Sequence, residues 1–197
     1  MFEDGIKKII QQIEPGLGAT SREISREIYG ELDYIIKYLI IKITEKVGIL
    51  LSCISRRTAS TKSIQDIIRI TFPCELERGA ASEGTKLVMK YNSDKDKPIL
   101  SLKKINAIFR IAIQDYKTDV RVSMFAIVYL AGVCEYIVGE ILYEMEEITV
   151  QKIFSRIKGD EELSEVFHGY MVELDDNKLG INQKIKRQID EYTKNIK

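Results

Sequence analysis

The chain has no tryptophan, one histidine, three prolines and three cysteines in 197 residues, and its formal net charge is zero. With so little proline, 12 glycines and 45% apolar residues, the composition is that of an ordered helical chain and not of a low-complexity or disordered one. The three cysteines, Cys53, Cys74 and Cys134, form no CxxC pair and leave one without a mate in any disulfide scheme. A reducing compartment and a role as small buried hydrophobes are therefore expected. The lone His168 lacks a partner motif such as GxSxG, and no GxxxxGK phosphate loop is present, so neither an enzyme nor a bound cofactor or metal is expected. Thirty Lys+Arg against thirty Asp+Glu argues against indiscriminate nucleic-acid binding by bulk charge and leaves only local patches. The opening MFEDGIKKII is charged from the start and has no small-residue cleavage site, unlike a signal peptide. Residues 126–145 form the most apolar run, but Glu135 and Glu140 within it argue against a membrane span.

What is present is helical periodicity. Ile28, Leu32, Ile35, Leu39, Ile43 and Val47 recur at three- and four-residue steps, with Glu27, Glu31, Lys42, Glu45 and Lys46 between them, which predicts one long amphipathic helix up to about Ile54. A short helix over residues 5–13 precedes it and ends at Glu14-Pro15-Gly16. After a polar run, Ser60 or Thr61 is expected to cap a helix that carries Ile64, Ile67, Ile68 and Phe72 and stops at Pro73. Residues 75–91 have helical composition. The stretch 94–98 is polar and ends in Pro98, which marks it as a linker.

The same order returns beyond that linker: a short helix over 102–113, a polar connection over 115–122, a longer helix over 125–145, a break with Thr149 as cap, and a short helix over 150–157. A helix as apolar all round as 125–145 needs cover on several sides. The other unit's long helix is the expected cover, giving one intramolecular pair.

This repeated short-long-short plan resembles the histone fold, and several local runs are more specific. RRTASTKSIQ (56–65), FPCEL (72–76) and ASEGTK (81–86) resemble the second loop, third helix and C-terminal helix of histone 2B. VYLAGVCEY (128–136), GEIL (139–142) and IKGDEEL (157–163) resemble histone 2A. The chain thus looks like a viral histone doublet of the kind carried by large DNA viruses, a 2B-like unit fused to a 2A-like unit. The resemblance implies an all-α chain with two histone folds in an intramolecular handshake pseudo-heterodimer. Its parts would be a 2B-like unit over residues 1–93, the linker over 94–98, a 2A-like unit over 99–172 and an extension over 173–197, in which the spacing of Ile185, Ile189 and Tyr192 predicts an added amphipathic helix over 181–196.

The function implied is packaging of viral DNA, without sequence specificity, together with a histone 4/histone 3-type doublet or dimer. Its expected location is the virion, the viral factory or the host nucleus. Histone-type wrapping uses loop arginines in the minor groove, helix N-termini and main-chain amides. In the handshake each unit's first loop lies beside the other's second loop. One DNA patch would then pair Arg56, Arg57 and Thr58 with Arg121. The other would join Thr20, Ser21 and Arg22, or Ser25 and Arg26 in their place, to Thr149, Gln151 and Lys152. Lys7, Lys8, Lys104 and Arg110 would add phosphate contacts from the first helices. The sequence departs from the family where Glu147, beside Glu146, occupies the position of the second-loop arginine of histone 2A.

Glu75, Glu83, Glu135, Glu140, Asp160, Glu161 and Glu162 fall on positions matching the acidic patch of the histone dimer, where basic peptides and chromatin factors dock. Tyr143 replaces one member of that patch. Beyond Val166 the chain departs from histone 2A, and HGYMVE (168–173) is expected to make a short strand docking toward the partner pair. The alternative function is a histone-fold transcription regulator or adaptor that mainly binds protein, a reading favoured by the balanced charge and the lack of a long basic tail.

Overall fold

The computed structural model describes residues 1–13, 25–93, 97–143, 145, 147–173, 179–194 and 196, and of Glu173 and Leu179 only the backbone. Nine helices and two small two-stranded sheets account for most of them, so the chain is all-α in its main architecture. Residues 94–96 of the expected linker lie outside the described residues.

The first helix, α1 (Glu3–Ile13), turns Ile6, Ile9 and Ile10 inward. Helix α2 (Arg26–Cys53) keeps its three-and-four spacing of buried residues over its whole length. It closes through Ser55, at φ 53°, with the Arg56 N–H donating to the Leu51 carbonyl at 3.1 Å, a left-handed cap that turns the chain out of the helix. Strand β1 (Thr58–Ala59) follows, then α3 (Thr61–Thr71). Of the two caps expected for α3 it is Ser60 that serves, through a reciprocal capping box with Ser63. Pro73 stands between α3 and α4 (Cys74–Asn92).

In the second part, α5 (Leu102–Gln114) leads to β2 (Arg121–Val122), and α6 (Met124–Leu142) follows directly. The expected polar connection thus contains a two-residue strand, too short for its alternation to be read. Helix α6 also stops short of residue 145, because Tyr143 is extended at φ −60°, ψ 134°. Thr149 caps α7 (Val150–Gly159) as expected, its side chain accepting the Lys152 N–H. Asp160 caps a further short helix, α8 (Glu161–Val166), which the periodicity did not separate. Strands β3 (Met171–Glu173) and β4 (Leu179–Ile181) form an antiparallel hairpin, so the segment expected to dock outward is paired within its own chain. Helix α9 (Gln183–Thr193) ends the described fold.

Residues from both sides of the 94–98 stretch share one core. Leu32, Leu39 and Ile64 join Ile105, Leu130 and Ile153 in it, all fully buried. Helix α6 is long and apolar enough to cross a membrane by length and composition, but 72% of that stretch is buried inside this fold. Its cover is broader than the long-helix partner expected from sequence. Besides α2, helix α4 lies along it closely, because a cylinder apolar on every side must be covered on every side. Glycines allow the approach: a Cβ on Gly132 would stand 2.9 Å from the Gly84 Cα, and one on Gly84 would stand 2.8 Å from the Tyr129 ring.

A buried ionic cluster ties α1 to α2. The Asp33 carboxylate receives the Met1 ammonium at 3.0 Å, the Phe2 N–H at 2.6 Å and the Lys37 ammonium at 2.8 Å. Burial alone would raise its pKa, but these donors outweigh it and hold Asp33 below the usual carboxylate range. The cysteines only partly follow expectation. Cys134 is buried, its thiol pushed up by that burial, whereas Cys53 and Cys74 are exposed because they sit at helix ends facing solvent.

Candidate nucleic-acid interface

The strongest concentration of the expected residues is at the β1–β2 bridge. These strands pair in parallel, Thr58 opposite Arg121 and Ala59 opposite Val122. The Arg121 N–H donates to the Arg57 carbonyl at 2.8 Å, and the Ser123 N–H to the Ala59 carbonyl at 3.0 Å. Because alternate strand residues face opposite sides, burial of Ala59 turns Thr58 and Arg121 outward together. Arg56, Arg57, Thr58 and Arg121 are all exposed. Helix α6 starts immediately after this bridge, and the Ser123 side chain does not cap it, so the N-terminus of a helix stands beside the arginines.

Two backbone features that the sequence did not signal shape this place. Ser55 and Asp119 both have positive φ, 53° and 59°, one just before each basic segment. Glycine is the usual residue there, and only the tolerance of a short polar side chain such as Asp119's for that region offered a hint.

The second expected patch is differently built. Thr20, Ser21 and Arg22 lie outside the described residues, as does Glu146. Ser25 precedes α2 without capping it, and Arg26 is that helix's exposed first residue. On the α7 side, the Lys152 ammonium is 3.0 Å from the Glu147 carboxylate, both about half exposed. Glu147 thus neutralises the neighbouring lysine. Thr149 occupies the Lys152 N–H, so this helix N-terminus is already capped, while Gln151 is exposed.

Of the first-helix cations, Lys7 and Lys8 are exposed on α1. Arg110 is exposed on α5 with its Nε donating to Asn106 at 3.2 Å. Lys104 is half-buried and donates to the Met1 carbonyl, a use in packing that its sequence neighbourhood did not signal.

The seven carboxylates of the expected acidic patch do not form one free surface. Glu162 caps α4 from another part of the chain, accepting the Glu75 N–H at 3.2 Å and the Leu76 N–H at 2.7 Å. Asp160 caps α8. Glu75 pairs with Arg78 at 2.7 Å and Glu83 with Lys86 at 2.6 Å, both at the surface. Glu135 is half-buried and accepts the Leu100 N–H at 2.8 Å; burial pushes its carboxyl up to about 7, against the downward pull of the Leu100 and Ile99 N–H groups. Glu140 lies close to the Tyr136 hydroxyl, and Glu161 is exposed. Glu83, Glu135, Glu140, Tyr136 and Tyr143 nevertheless line one open groove of about 450 Å³, together with Lys86, Lys90 and Lys97. Among the described residues no three His, Cys, Asp or Glu side chains gather as a metal site.

No family model matches the chain.

Proposed function

We propose that this protein is a viral histone doublet, a 2B-like unit fused to a 2A-like unit, that packages DNA with a histone 4/histone 3-type partner. The observation that carries this reading is the β1–β2 bridge, which sets Arg56, Arg57 and Thr58 of one half beside Arg121 of the other. Two loops with exposed arginines, next to a helix N-terminus without a side-chain cap, suit contact with a phosphate backbone. Exposed apolar residues give a partner somewhere to sit. Ile49 on α2 is 51% exposed and Ile70 on α3 is 75% exposed, with the Lys46 ammonium bonded to Thr71 of α3. On this reading the protein is structural, has no catalytic step, and resides in the virion, the viral factory or the host nucleus.

One observation favours the alternative of a histone-fold adaptor that mainly binds protein: the Lys152–Glu147 pair removes a cation where a second DNA contact would be. Assembly separates the two. Mixed with a histone 4/histone 3-type doublet and DNA and then digested with nuclease, a packaging histone leaves a discrete fragment of roughly 120 to 150 base pairs. Digestion without any protected length would favour the adaptor.

A further inference from the structure

Helix α9 is distant in sequence from both basic loops, but its contacts lead to one of them. Ile189 anchors it, 1% exposed, over α2 and α5. From that anchor the Tyr192 hydroxyl donates to the Asp115 carboxylate at the end of α5. The Gln188 amide donates at 3.1 Å to Glu45 of α2, whose carboxylate lies near the Tyr116 hydroxyl. The turn so gripped is held from the α2 side as well. Tyr116 lies across Gly48, where a Cβ would stand 2.5 Å from its own; its carbonyl accepts from Ser52 at 3.1 Å, and the Lys117 ammonium donates to the Leu51 carbonyl at 2.7 Å. A few residues further on the chain passes through Asp119 at positive φ and delivers Arg121 to its ladder bond with Arg57.

We propose that α9 is a positioning element of the basic patch: by holding Asp115 directly and Tyr116 through Glu45, it sets the loop that presents Arg121 to duplex DNA. The inference rests on the reading of that patch as a DNA contact. A helix that merely covered α2 would need Ile189 and its apolar neighbours, but not one polar contact with Asp115 and a second with Glu45. A loop fixed at its root presents its arginine with less ordering left to do on binding.

The test uses the full chain with Tyr192→Phe, which removes only the hydroxyl, and Asp115→Asn, which keeps an acceptor for it. Hydrogen exchange is read at the Arg121 and Ser123 amides, affinity is read with a short DNA duplex, and buried α6 amides serve as the fold control. Tyr192→Phe should speed exchange at Arg121 and Ser123 and weaken DNA binding, each by about threefold or more, with the α6 amides unchanged. Asp115→Asn should stay close to the parent in both. Unchanged exchange at Arg121 in Tyr192→Phe overturns the positioning role. In parallel, Arg121→Ala with unaltered DNA affinity overturns the underlying DNA reading, and because exchange is measured without DNA the two failures are told apart.

Discussion

Arg121 donates its backbone N–H to the carbonyl of Arg57 at 2.8 Å, joining two loops from opposite halves of the chain as ladder partners. The bond fixes main chain and leaves the guanidinium groups exposed. The backbone thereby supports the loop, and the side chains are left for the proposed contact with DNA. Truncating both side chains of Arg56 and Arg121 to Ala should lower the salt slope of DNA binding by about two, one for each lost phosphate neutralisation. Thermal stability should change little, because exposed side chains contribute within about 0.5 kcal/mol. A slope equal to the parent's would discard these two residues as contacts.

Glu147→Gln should strengthen DNA binding modestly and raise the same slope by up to about one, by freeing the Lys152 ammonium now 3.0 Å from it. The pair is about half exposed, so its loss should cost under about 1 kcal/mol of stability. Titration of binding against salt checks this, and an unaltered slope would mean that Lys152 lies off the DNA path.

Glu135 makes stability depend on pH in a definite direction. Burial raises its native pKa to about 7, from an ordinary value near 4.5. Between those values the native state keeps a proton that the unfolded chain has lost, so stability falls as pH rises through this window and the contribution is gone above about 7. The effect is at most on the order of 3 kcal/mol. Denaturant melts of the parent and of Glu135→Gln from about pH 4 to 8 should diverge accordingly, the parent losing stability relative to the variant as pH rises. Parallel curves would show that the carboxyl titrates normally.

The helices were legible because each repeats a pattern along many residues. The spacing from Ile28 to Val47 carries through α2, and Ser60, Pro73 and Thr149 punctuate where their local chemistry says they should. Features that depend on which backbone lies opposite a side chain were not legible. Glu162 reads as one member of an acidic docking patch until the N–H groups at the start of α4 are found beside it, and Glu135 until Leu100 is. Cys53 and Cys74 read as small hydrophobes, but helix ends left them exposed. The nearness of residues 56–58 to Arg121 followed only from the resemblance, since no local periodicity pairs two loops so far apart.

The close fit of α4 on α6 carries a consequence for the chain's history of change. Gly84 and Gly132 meet backbone to backbone across the halves, so a side chain gained at Gly132 would meet main chain, with no flexible neighbour to displace. Most single substitutions in a core can be absorbed by repacking, but here compensation would require two helices to separate at once. An exposed arginine such as Arg56 can be exchanged without such a demand, whereas this contact makes the backbone of each half a constraint on the side chains the other can carry.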